Sequence, residues 1–178
     1  MCSADLDIAA GFAEGPIDRR VVAICGVKNS GKTTLIRKLL KVLADRGIRT
    51  AVIKHDGHDF TCDIPGTDSY QFSTAGAYGV AVYSDNRMFV HKKGTGEQVG
   101  QLIALFPEAD LILIEGMKDS TYPKVEVIRR QISDGPVSHP TGRFLIATDW
   151  EPGHFLEETA GLEEIERIAD GLLRETAS

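Results

Sequence analysis

Nine residues, GVKNSGKTT at positions 26–34, constrain the fold of this chain more than any other stretch. Gly26, Gly31, Lys32 and Thr33 satisfy the pattern Gly, four residues, Gly-Lys-Ser/Thr, which wraps a phosphate group. The flanking sequence supplies the context that this pattern needs. Val21 to Cys25 is a short apolar run that reads as a buried strand, and Leu35, Ile36, Leu39, Leu40, Val42 and Leu43 recur at helical spacing until Gly47. Glycines let such a loop curl tightly with its amides pointing inward, and the positive end of the following helix lies behind them. Lys28, Asn29, Ser30 and Thr34 complete the predicted nucleotide-binding stretch. Lys32 is expected on the β/γ-phosphates and the Thr33 hydroxyl on Mg²⁺.

The 178 residues are one domain's worth, with 42% hydrophobic and 26% charged residues, as in an ordinary globular protein. A net charge of −6 argues against a nucleic-acid partner. Cys2, Cys25 and Cys62 are too few and too scattered for a disulfide framework or a paired zinc motif, so the cytoplasm is the expected compartment. No apolar run is long enough to span a bilayer. Residues 1–18 read as a flexible extension and 19–178 as the nucleotide-binding domain.

Beyond the loop helix, Arg49 to Lys54 forms a second strand, so the alternation predicts a mostly parallel α/β sheet with helices on both faces. The polar segment 55–70 starts where that strand ends and should face the phosphate site. It carries His55, Asp56, His58, Asp59, Asp63 and Asp68, as a functional loop or as a solvated one. Thr67 caps a short helix through Ala75. Tyr78–Tyr83 and Arg87–His91 read as a β-hairpin around Ser84-Asp85-Asn86, whose open edge a second copy of the chain would cover. Gly96 to Phe106 reads as a helix. Asp110 to Gly116 describes a central strand that delivers Glu115 to the carboxyl edge, where such proteins place the acid that handles Mg²⁺. Strands over Pro123–Arg130 and Phe144–Ala147, a loop over 131–142 and a closing amphipathic helix complete the chain. Asp149, after the last strand, either reads guanine through its carboxylate or simply caps a turn.

Several separated motifs together resemble the MobB family of molybdopterin-guanine dinucleotide biosynthesis adapter proteins. They are the loop with its Thr33-Thr34 ending, Ile53-Lys54-His55, His58-Asp59, Asp63, Pro65-Gly66, Asp68-Ser69-Tyr70 and Ala75-Gly76-Ala77. Leu111 to Gly116, Lys118, Pro123-Lys124-Val125-Glu126 and Ala147-Thr148-Asp149 extend the match, which leaves only the first ~20 residues uncovered. The resemblance implies a cytosolic GTP-binding homodimer, with at most weak GTPase activity, and a partner, the guanylyltransferase MobA, which attaches GMP to molybdopterin. By position it places the phosphate loop on Gly26 to Thr34, the acidic strand end on Glu115 and the family's histidine loop on His55 and His58. Asp56-Gly57 stands where a Thr-His pair is expected, so no role for a third histidine is carried over. Lys28 precedes Lys32 by four residues, not the five of the signature lysine of deviant loops, and takes no catalytic role from them.

The expected machine is therefore a GTP·Mg²⁺ adapter in which Thr33 and Glu115 manage the ion and Asp56 orients water. Two alternatives share the loop. A small-molecule kinase would use a basic lid drawn from Arg129, Arg130 and Arg143, and a metal-delivery GTPase would use His55, His58 and Cys62.

Overall fold

The computed structural model describes residues 20–55, 63–93 and 99–177. In chain order the elements are β1 (Val21–Cys25), α1 (Lys32–Asp45), β2 (Thr50–Lys54), α2 (Asp68–Thr74), β3 (Gly79–Ser84), β4 (Arg87–Lys92), α3 (Val99–Ile103), β5 (Leu111–Glu115), β6 (Lys124–Ile128), β7 (Arg143–Thr148), β8 (Thr159–Gly161) and α4 (Ile165–Thr176). They group into two compact units. Residues 56–107 form one, and the chain before and after them forms the other.

The larger unit is a six-stranded sheet in the order β2-β5-β1-β6-β7-β8, with every pairing parallel. Parallel strands need both faces covered, and the central strands β1, β5 and β6 are buried on both, whereas the edge strand β2 leaves Val52 exposed. Val22, Ile24, Leu113, Val125, Val127, Leu145 and Ala147 pack against Leu35, Leu39 and Leu43 of α1 and Ile168, Ala169 and Leu172 of α4. The opposite residues Ala23, Ile112, Ile114 and Ile146 are just as inaccessible. Arg46, the cap residue at the end of α1, pairs with Glu166 and Asp170 of α4 and so links the two helices.

The smaller unit holds the hairpin β3–β4, paired antiparallel from Gly79↔Lys92 to Ser84↔Arg87. Thr67 caps α2 as expected, its hydroxyl accepting from the Tyr70 amide. The helix expected over 96–106 is α3, shorter among the described residues. Its last bonds tighten to the i→i−3 kind at Leu105 and Phe106, just before Pro107. The expected extension over 1–18 lies outside the described residues. No helix among the described residues is long and apolar enough to cross a membrane.

Candidate functional site

A parallel sheet sends all its strand ends the same way, so the loops after β1, β5, β6 and β7 emerge along one edge of the larger unit. After β1 the chain turns through three left-handed residues, Gly26 (φ 133), Asn29 (φ 64) and Gly31 (φ 100). The Ser30 amide bonds back to the Val27 carbonyl at 3.3 Å, closing the curl. Gly26 is needed sterically as well, because a Cβ there would sit 2.4 Å from the Val127 carbonyl oxygen. Helix α1 starts directly behind, with Gly31 as its cap and no side chain bonded to its first amides. Those donors are free to be satisfied by an anion.

The charged groups converge on the same curl. Lys32 Nζ donates to the Gly26 carbonyl at 3.1 Å and to the Val27 carbonyl at 2.7 Å, holding the ammonium over the loop. Thr33 Oγ1 donates to both carboxylate oxygens of Glu115, at 3.0 and 3.1 Å. These two groups come from residues 33 and 115 and meet because β1 and β5 are neighbours, with Ile24 opposite Glu115. A hydroxyl and a carboxylate this close are a fitting donor pair for a hard divalent cation. The Ser30 hydroxyl is buried without a partner inside the loop. Arg129, at the end of β6, donates its Nε to the Ser30 carbonyl at 3.0 Å and so braces the loop from the neighbouring strand.

The remaining candidates divide. Lys28, Asn29 and Thr34 are exposed along the curl. His55 is exposed at the end of β2. Its amide donates to the Glu115 carbonyl at 3.0 Å, and its Cβ lies 3.3 Å from where a Cβ on Gly116 would be. Asp56 and His58 lie outside the described residues. Asp63 organises the start of α2, its Oδ1 accepting from Thr67 Oγ1 and Ser69 Oγ. Among the described residues no cluster of histidines, cysteines and acids is arranged to hold a metal. Asp149 is exposed after β7, with Oδ1 accepting from the Arg130 amide at 2.7 Å, so it does act as a clamp between two loops. Its second oxygen is not used in that clamp.

The basic lid of the kinase alternative fails at Arg143, whose side chain is only 8% exposed and is tied to Glu126 and Glu157. Arg129 is likewise committed to the loop carbonyl.

The charged pair on β6 was invisible as a pair in the sequence. Lys124 and Glu126 are buried in the middle of the sheet. Lys124 Nζ donates to the Ser120, His139 and Thr141 carbonyls. Glu126 accepts from the Val137 and Ser138 amides, the Ser138 hydroxyl and Arg143. Burial pushes the Lys124 ammonium below its ordinary range and the Cys25 thiol up to about 11. Trp150 also escaped notice. Its ring stacks on His154 at 4.0 Å with the Arg130 guanidinium 5.3 Å from its centroid. A lone aromatic in a turn carries no periodic signal, which is why only the structure shows it.

Comparison with known proteins bears on the family and the fold. The family model for MobB, molybdopterin guanine dinucleotide synthesis protein B, matches residues 21–149. The molybdopterin-guanine dinucleotide biosynthesis adapter protein of Escherichia coli K12 is 32% identical over 84% of this chain and 89% of its own length. That of Haemophilus influenzae is 35% identical over 64% of this chain and 65% of its own length. The crystal structure of Bacillus subtilis MobB superposes with a TM-score of 0.71 at 25% identity, covering 88% of this chain and 97% of that one. A MobB homologue from Bacillus stearothermophilus gives 0.68, also at 25% identity, over 89% and 98%. With the family model covering residues 21–149 and an adapter protein 32% identical over most of both chains, this protein belongs to the MobB family.

Proposed function

We propose that the protein is a GTP·Mg²⁺-binding adapter in molybdopterin guanine dinucleotide synthesis that works in the cytoplasm with the guanylyltransferase MobA. The observation that supports this most is the Lys32 and Thr33–Glu115 arrangement on an open helix N-terminus, in a chain of this family. In this reading the loop amides and Lys32 hold the β/γ-phosphates. Thr33 and Glu115 hold Mg²⁺, which when bound neutralises phosphate charge. Lys28, Asn29, Ser30 and Thr34 line the phosphate path, His55 stands at the neighbouring strand end, and Asp149 meets the base; His58 enters only as a member of the family's histidine loop. Asp56 orients water for a hydrolysis that stays slow, since Arg129 braces the loop instead of reaching for the γ-phosphate. An absent arginine finger is worth roughly 10³–10⁵ in rate.

The hairpin supports a homodimer. Val82, Tyr83, Met88 and Val90 are exposed on its two strands, and a two-stranded ribbon is marginal alone. A second copy of the chain is the proposed cover.

Calorimetry with GTP and Mg²⁺ tests the reading. The native protein binds, and Lys32→Ala, which deletes the ammonium held over the loop, reduces binding to background. Unchanged affinity in that variant would remove the phosphate-loop assignment.

A further inference from the structure

At the carboxyl edge of β7 and β8 the larger unit has a cleft of about 450 Å³, lined by Thr148, Asp149, Trp150, the β8 residues Thr159 to Gly161, and Arg167. We infer that this cleft seats the purine ring of the bound nucleotide, with Arg167 as a specificity-determining residue for guanine. The assignment rests on the phosphate-loop reading above and adds the location and the recognition chemistry of the base.

Position is the first argument. The strand order β1-β6-β7-β8 puts the β7–β8 crevice two to three strand spacings from the phosphate loop, about 12 Å along the same edge. That is comparable to the span from the β-phosphate of a nucleotide to its base. The volume also suits a flat heterocycle.

Chemistry is the second. Guanine offers N1–H and an amino group on one edge and the acceptors O6 and N7 on the next; adenine reverses the sense at position 6. The cleft is lined by two carboxylate acceptors, Asp149 and Glu164, and one cationic donor, Arg167, with Glu164 already accepting from the Gly161 amide. Asp149 Oδ1 accepts from the Arg130 amide, which leaves Oδ2 outside that bond to accept from N1–H and the amine. Arg167 lies 3.7 Å from Glu158 and 3.6 Å from Glu164. These are ion pairs without a hydrogen bond, at half-exposed side chains, so the fork is held near the cleft by charge and can still turn to O6 and N7. Trp150 is held by His154, by Arg130 and by an indole bond to the Ser133 carbonyl at 3.4 Å, which gives the cleft a rigid apolar wall.

Trp150 is the chain's single tryptophan, so its emission reports on this cleft directly. Titration with GTP, ITP, ATP and inorganic tripolyphosphate separates base from phosphate. GTP and ITP should change Trp150 emission on binding, while tripolyphosphate competes with GTP yet leaves the emission unaltered. In Arg167→Ala the affinities for GTP and ITP, whose O6 acceptor adenine replaces with an amino donor, should fall about tenfold or more while that for ATP, which shares only N7, falls less. Arg167 is exposed on α4, so the fold does not depend on it. Three results overturn the assignment while the phosphate-loop reading survives. They are GTP binding without any change in Trp150 emission, an equal change with tripolyphosphate, and a GTP-to-ATP ratio unaltered in Arg167→Ala. If neither GTP nor tripolyphosphate binds, the phosphate-loop reading fails and the cleft assignment falls with it.

Discussion

Single residues in this protein divide into those that shape the loop and those that set its pH response. Gly26 is of the first kind. Its φ of 133 and the 2.4 Å approach of the Val127 carbonyl leave no room for a side chain. Gly26→Ala should cost on the order of 2 kcal/mol or more in stability and abolish GTP binding, by thermal unfolding and calorimetry respectively. Asp110 is of the second kind. Three donors of Arg49 hold its carboxylate, lowering its pKa from 3.8 to about 2. A carboxyl group depressed on folding stabilises above its unfolded value, and that contribution drains away as pH falls from about 4 to about 2. Asp110→Asn should therefore flatten the acid limb of the stability curve while lowering stability at neutral pH. Cys25 is buried, with its thiol raised to about 11. Mass spectrometry after alkylation at pH 8 should find it unmodified until the protein unfolds.

At the scale of elements, β6 does more than its hydrophobic pattern suggests. Val125 and Val127 face the core under α1 and α4, as alternation predicts. Lys124 and Glu126 point the other way, and in a half-solvated strand they would be wet. Here they are buried, and they hold the loop 131–142 by its backbone. Replacing Lys124 with Met should leave three carbonyls without their donor and cost about 2–4 kcal/mol, seen as a lower denaturation midpoint with loosened hydrogen exchange at 138–142. This is where sequence reading ran short. β1, α1, the hairpin and β5 with Glu115 at its end are legible because each has a local signature: an apolar run, a helical period or a strand-to-glycine stop. β8 is three residues long and has none. The Thr33–Glu115 contact was foreseeable from the fold pattern, whereas the Arg129 brace and the Trp150 stack depend on loops from different strands arriving together, which no local window encodes.

For the molecule as a whole, the hairpin and the sheet carry separate consequences. If the exposed apolar ribbon is the proposed dimer surface, Tyr83→Arg combined with Val90→Lys should convert the protein to a monomer by light scattering and leave GTP binding intact. The sheet leads elsewhere. In the proposed reading the phosphate, cation and base contacts come from different strands of a single parallel ladder, so none of them exists as a partial site in the open chain. Whatever ligand the edge accepts then acts as a mortar for the entire larger unit. At a hundred times its dissociation constant it should add about 2.7 kcal/mol to the unfolding free energy. Protection from exchange should rise together at Val22, Leu113, Val125 and Leu145, far beyond the atoms the nucleotide touches.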